Sequence, residues 1–157
     1  MMGNRSDMAK PDPVLLEPDR YPVQYEITTR FQDIDPNNHI NNVAVASYFE
    51  DARVRFDESL QLAGTAELSD LRTMIVSLHI EYPAELFYPA PITVHAGILD
   101  MGRSSWTLAA IAVQDGRVGA FSKAIIVKLK DGRPAPLPDM FRQALVAKRV
   151  RIEGTGE

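Results

Sequence analysis

The sequence predicts an α+β domain: a long central helix wrapped by a curved antiparallel sheet of about five to six strands. Two observations predict it. Apolar residues recur at spacings of three and four over Val43–Leu62, and afterwards the period drops to two through four further segments. Helix and strands are therefore segregated along the chain, which argues against a doubly wound sheet. Small residues on the helix, Ala44, Ala46 and Ala52, would let a sheet approach closely.

Each element has a local reason. Tyr25–Phe31 is rich in β-branched and aromatic residues and predicts a first strand. Asp33–Asn42 (DIDPNNHINN) is dense in turn and cap formers and predicts a loop ending at a helix start. In the helix, Val45, Tyr48, Phe49, Ala52, Phe56 and Leu60 form one apolar face. Glu50 with Arg53 and Asp51 with Arg55 are spaced to pair on the other side, and Gly64 is a plausible stop. Thr73–Tyr82 alternates, with Met74, Val76, Leu78, Ile80 and Tyr82 expected on one face. Ile92–Leu99, Ser105–Val113 and Val118–Lys130 complete an expected four-strand meander, separated by PAELFYPAP, DMGRS and QDGR. Pro138–Ala147 predicts a short terminal helix.

The 157 residues carry 45% hydrophobic and 24% charged content, ordinary values for one globular domain, expected over residues 21–148. Residues 1–20 are interrupted by Pro11, Pro13 and Pro18 and are expected to be a disordered leader; residues 149–157 are expected to fray. The absence of cysteine excludes a disulfide scaffold, a thiolate metal site and a catalytic thiol. A net charge of −4 is the wrong sign for a general nucleic-acid binder. No apolar run reaches the roughly 20 residues of a membrane-spanning helix, and the leader lacks a signal-peptide core. These features lead to the expectation of a cytoplasmic protein with neither membrane nor nucleic-acid partners.

The sequence has no GxSxG elbow, no HExxH and no phosphate-cradling glycine loop. His79 and His95 lie on separate strand segments without ligand-like spacing, so no metal is expected. The dense polar cluster has two readings. In one it is a capped loop, with Asn41 or Asn42 accepting from orphan helix N–H groups and Pro36 stiffening the turn. In the other, Asp35, Asn37 and His39 stand just before a helix N-terminus, whose free donors and partial positive charge can hold an oxyanion. Acyl transfer needs those two parts: a base or nucleophile, and donors aimed at the carbonyl oxygen.

The stretch RFQDIDPNNHINNVAVASYFEDAR, Arg30–Arg53, resembles the signature of the hotdog-fold acyl thioesterases. It is similar to the 4-hydroxybenzoyl-CoA thioesterase family, with its D-x-D, G-H-V-N-N and helical Y-x-x-Y-x-E-x-A-R pattern. It is locally closer to plant-type acyl-ACP thioesterases, which read D-L-D-x-N-x-H-V-N-N. Where most bacterial relatives carry glycine, this chain has Asn38, a residue that tolerates left-handed backbone. The cysteine some acyl-ACP thioesterases carry near their site is absent.

The resemblance implies hydrolysis of an acyl thioester, acyl-CoA or possibly acyl-ACP, with no cofactor beyond the coenzyme A of the substrate. It implies a homodimer whose sheets pair edge to edge, often stacked into a tetramer, with the site at the dimer interface. Asp35 would be nucleophile or general base, Asn37 and His39 would orient water or carbonyl, and backbone N–H groups near Ile40–Val43 would polarise the thioester. Asn41, Asn42 and Tyr48 are expected to contact substrate, with Phe49 beside an aliphatic chain. Glu50 falls where some hotdog enzymes place a helix carboxylate near substrate. Arg103 and Ser104, with Ser105, form the best phosphate candidate, ahead of Lys128 and Lys130. Two other readings stand beside it: a non-catalytic acyl-CoA or acyl-ACP binding module using the same pocket, and a hydratase or dehydratase, which needs a histidine and a carboxylate in a different arrangement that the residues around His79 and His95 do not offer.

Overall fold

The computed structural model describes residues 10–152, apart from 61 and 63. Its elements are β1 (Val23–Ile27), α1 (Asn42–Ser59), β2 (Arg72–Glu81), β3 (Ile92–Met101), β4 (Ser105–Gln114), β5 (Arg117–Lys130), β6 (Arg133–Pro134) and α2 (Asp139–Val146). The strands form one antiparallel sheet in the order β1-β3-β4-β5-β2, with β6 beside the end of β5. Only β3, β4 and β5 are a meander. The expected fourth member, β2, pairs β5 instead of β3, because the proline-rich connection after it carries the chain across to the far side of the sheet.

Helix α1 lies on one face of this sheet. Val45, Tyr48, Phe49, Ala52 and Phe56 are buried against Ile92, Val94, Ala96, Leu108, Ala110 and Ala124. The apolar spacing read from sequence thus identifies the packed face. Fully burying a side chain as large as Phe56 stabilises the fold by about 1.5–3 kcal/mol. The helix ends at Ser59, capped by Leu60, three residues before the expected end; Gln61 lies outside the described residues. Asp51 and Arg55 pair as expected at 2.9 Å. Arg53 does not pair with Glu50: it is buried, and its Nη1 has no partner among the described residues.

The alternation of β2 is broken by a bulge between Ile75 and Ser77. Beyond it Leu78 and Ile80 stand opposite Ala124 and Ser122, on the same face as Ile75 opposite Ile126. The expected common face of Met74 with Leu78 and Ile80 is therefore not formed, since the extra residue shifts the pleat by one. Among the described residues the other edge of β2 has no partner strand, and Met74, Ile75, Val76 and Leu78 are all exposed.

The opposite face of the sheet holds a second apolar cluster of Leu15, Tyr21, Ala109, Ile111, Phe121 and Val150. Both chain ends contribute to it, which corrects two expectations. Residues 10–20 are not disordered: Pro13–Leu16 and Pro18–Arg20 form short 3-10 turns, and the Tyr21 hydroxyl donates to the Leu15 carbonyl at 2.6 Å. Residues 149–152 are tied in as well, with Val150 N–H donating to Ile98 and Arg151 N–H to Arg20. Burying Leu15 and Val150 outweighs what the prolines suggest locally. Residues 1–9 and 153–157 of the expected leader and tail lie outside the described residues.

Candidate active site

The loop before α1 is folded on itself by short-range bonds. Ile34 and Ile40 form an antiparallel bridge, Asp35 N–H donates to the His39 carbonyl at 2.8 Å, and Asn38 N–H donates to the Asp35 carbonyl at 3.0 Å. Asn38 sits at φ +64°, the left-handed position the turn requires and an asparagine tolerates. Two anchors fix the loop to the body. Ile40 N–H donates to Leu86 and Asn41 N–H to Asp33, each at 2.8 Å.

The two carboxylates of the D-x-D have different tasks. Asp33 is buried, where it accepts from Arg30 at 3.0 Å and from the Tyr48 hydroxyl at 2.6 Å. Burial alone would raise its pKa, but the bonds from Arg30 and Tyr48 hold it below the usual carboxylate range. The Tyr48 hydroxyl moves the other way, raised by burial and by its bond to Asp33. Asp33 is thus a fixed strut. Asp35 is only partly buried, and its Oδ1 accepts the N–H groups of Asn37 at 2.9 Å and His39 at 3.1 Å. Its Oδ2 accepts from no group among the described residues.

Asp35 lines a cavity of about 440 Å³ with His39, Ile40, Asn42, Val45 and Tyr82; Pro83–Leu86 and Gly119 complete the wall. The first turn of α1 therefore opens on the same space as the carboxylate. Of the four N–H groups over Ile40–Val43, three are used inside the fold: by Leu86, by Asp33, and by the Asn41 side chain that caps Val43 at 2.9 Å. Among the described residues the Asn42 N–H is the one left without an acceptor, at the positive end of the helix.

The structure separates the remaining candidates. His39 lines the cavity, with Nε2 3.2 Å from Glu85 Oε1 and its ring edge-on to Phe87. Asn37 is exposed and is not in the cavity wall. Asn41 is the helix cap, which leaves Asn42 as the cavity residue. Tyr48, expected at the substrate, is buried in the core against Asp33, because its helical position points inward. Glu50 is exposed and Phe49 is core. Arg103 and Ser104 lie in the β3–β4 turn, while Gln114 at the other end of β4 holds the Phe87 backbone beside the cavity. Those nine steps of strand span about 30 Å at about 3.3 Å per residue. Within one chain Arg103, Ser104, Lys128 and Lys130 are therefore not near Asp35.

Sequence reasoning missed Gly119 and Leu86. A Cβ at Gly119 would come within 2.3–2.4 Å of the Leu86 side chain, so glycine is what lets Leu86 reach the loop and accept from Ile40. The missed signal was a small residue in an otherwise bulky strand.

A family model described as thioesterase-like superfamily matches residues 29–145. The chain belongs to that superfamily. Solved structures agree. A thioesterase from Thermus thermophilus, complexed with coenzyme A and Zn, is 28% identical with a TM-score of 0.71, over 82% of this chain and 95% of that one. A structure described as a predicted thioesterase from Bacillus stearothermophilus is 28% identical with a TM-score of 0.72, over 80% and 95%. A Pseudomonas aeruginosa protein, 24% identical with a TM-score of 0.74 over 86% and 96%, supports the fold. A search of curated proteins found no match. The fold is the hotdog fold, and thioester hydrolysis is the general chemistry these likenesses support. Among the described residues no helix is long and apolar enough to cross a membrane.

Proposed function

We propose that the protein hydrolyses acyl-CoA thioesters, with Asp35 as the catalytic carboxylate and the Asn42 N–H as a donor to the carbonyl oxygen. The observation that carries this reading is the single cavity shared by Asp35 and the first turn of α1. Two N–H groups on Oδ1 fix the carboxylate, and Oδ2 stays available to attack the carbonyl carbon or to take a proton from water. As the tetrahedral oxyanion forms, the Asn42 N–H and the helix N-terminus stabilise it; one such donor is worth about 3–4 kcal/mol. The thiolate then leaves: in the base route this gives the free acid directly, and in the attack route it gives an acyl–Asp35 anhydride that water cleaves at the Asp35 carboxyl carbon, returning the carboxylate and releasing the acid. His39, held by Glu85, is placed at the wall to orient water. Coenzyme A as carrier is supported by its presence in the Thermus thermophilus neighbour, and a carrier-protein thioester would present the same arm.

The active form is a homodimer through β2. Its unpaired edge and exposed Met74, Ile75, Val76 and Leu78 are suited to a second copy. Antiparallel pairing of two β2 strands would set the Arg72 end of one beside the Glu81 end of the other, next to the Asp35 cavity.

Thiol release across short, long and aromatic acyl-CoAs tests the reading. Wild type should turn over at least one class, and Asp35→Ala should keep the circular dichroism spectrum while losing turnover. Equal turnover in the variant would reject Asp35. Single turnover in isotopically labelled water separates the two roles: label in the enzyme carboxyl marks attack by Asp35 itself.

A further inference from the structure

The segment between β2 and β3, residues 82–91, has no regular structure and carries Pro83, Pro89 and Pro91, which have no N–H to offer a ladder. It nevertheless supplies the Leu86 carbonyl that anchors the loop before α1. Side chains hold it in place of a strand. Gln114, the last residue of β4, is buried, and its own backbone is fixed opposite Arg117 in the β4–β5 ladder. Its Oε1 accepts the Phe87 N–H at 2.8 Å, and its Nε2 donates to the carbonyls of Phe87 at 2.7 Å and Ala90 at 2.9 Å. A carboxamide offers the same donor and acceptor as a peptide group, so Gln114 serves Phe87 as a neighbouring strand would.

The bonds beyond Phe87 run in one line. The Phe87 N–H and the Leu86 carbonyl belong to a single peptide group, and that carbonyl accepts the Ile40 N–H at 2.8 Å. The Ile40 N–H and the His39 carbonyl again share one peptide group, and that carbonyl accepts the Asp35 N–H at 2.8 Å. Two peptide planes thus join the Gln114 amide to the backbone of Asp35. Bonds in such a chain polarise and strengthen one another. The same turn sets the carboxylate, because Asp35 Oδ1 accepts the His39 N–H at 3.1 Å.

We propose that Gln114 is a positioning residue for Asp35: its amide, carried on β4, fixes through these two peptide groups where the carboxylate stands in the cavity. Its effect on turnover rests on the thioesterase reading above; its effect on the loop does not. Thr29 supplies the contrast. It too is buried, and its hydroxyl donates to the Ala90 carbonyl at 3.1 Å. It therefore ties down the same segment, but past Phe87 and outside the line that leads to Asp35. Losing either side chain would loosen the segment. Only the loss of Gln114 would displace Asp35.

Gln114→Met and Thr29→Val, each close in volume to the residue replaced, separate the two effects in the full chain. In acyl-CoA turnover Gln114→Met should lower kcat about ten- to hundredfold with KM within about threefold, as a misplaced reacting group does. Thr29→Val should keep both constants within about twofold of wild type. Amide hydrogen exchange followed by NMR reads the loop without any substrate. The Ile40 and Asp35 amides should exchange about tenfold faster in Gln114→Met while those of the β4–β5 ladder stay as they are, and Thr29→Val should leave Ile40 and Asp35 unchanged. Gln114→Asn keeps the amide but stops it one carbon short of Phe87; it should repeat the Gln114→Met pattern, and it decides the matter if Gln114→Met does not fold. Unchanged exchange at Ile40 and Asp35 in the Gln114 variants, a uniform acceleration across the ladder, or the same losses in Thr29→Val would overturn the assignment. If wild type hydrolyses no acyl-CoA, the thioesterase reading has failed, and the exchange pattern alone upholds or refutes positioning by Gln114.

Discussion

The two ends of α1 each open on a cavity and each place a carboxylate nearby, yet they are opposite in character. At the N-terminal end Asp35 stands beside the Asn42 N–H, which has no acceptor among the described residues, at the positive pole of the helix. At the C-terminal end a cavity of about 330 Å³ is lined by Asp57, Leu60, Thr73, Lys128 and Phe141. There the helix presents carbonyl groups and a negative pole. The chain has supplied its own cation: Lys128 Nζ donates to Thr73 at 2.7 Å and lies 4.8 Å over the Phe141 ring and 5.7 Å from that of Trp106. Burial lowers the pKa of that ammonium, with Asp57 opposing the effect. Cavity size alone does not distinguish the two ends. The sign of the field does, because an oxyanion is stabilised at only one of them.

The largest effect should come from removing the carboxylate at the positive pole. Asp35→Asn is expected to lower kcat by about 10²–10⁴-fold, the range for a positioned acid–base group, with little change in melting temperature. Thiol-release kinetics with a parallel melting curve measure both. Next comes Gly119→Ala, which pushes Leu86 off the loop anchor. It should cost about 1–3 kcal/mol by overpacking, read as a lower denaturant midpoint, together with reduced turnover.

Tyr48→Phe removes one of the bonds that hold Asp33. It should cost about 1.5–3 kcal/mol at neutral pH, the range for a hydrogen bond to a charged group. The sign of its pH effect follows from Asp33, whose folded pKa lies below its unfolded value of about 3.9. Stability from that group is present above the unfolded value and lost as pH falls through the folded one. The variant raises the folded value, so acid unfolding followed by circular dichroism should begin at a higher pH. Lys128→Met at the negative pole should be mildest. It loses a cation–π contact worth about 0.5–2 kcal/mol, with turnover within a fewfold of wild type. A collapse of catalysis in Lys128→Met matching that in Asp35→Asn would break the distinction between the two ends.

Most of the fold was legible because its signals are local. The apolar spacing of α1, the strand alternation and the Asp115–Gly116 turn at φ +49° and +75° each follow from a few adjacent residues. The position of β2 was not legible, since pairing with β5 is a long-range choice and the bulge at Val76 adds a residue without a turn signal. The ordering of residues 10–20 was hidden for the same reason: Leu15 and Tyr21 find their partners on distant β4 and β5. At the site, Asp35, His39 and Asn42 were readable from their place before a helix. Which asparagine caps and which faces the cavity depends on backbone angles at Asn41. Arg103 and Ser104 lie at the end of β4 away from the Asp35 cavity of their own chain, a distance that composition does not encode.

The open edge of β2 also links solubility to stoichiometry. A solitary copy would expose the open edge of a ten-residue strand and four large apolar side chains to any other extended segment. In the proposed homodimer, self-pairing would remove that hazard as it assembles the crevice, so dilution should depress specific activity and melting temperature together.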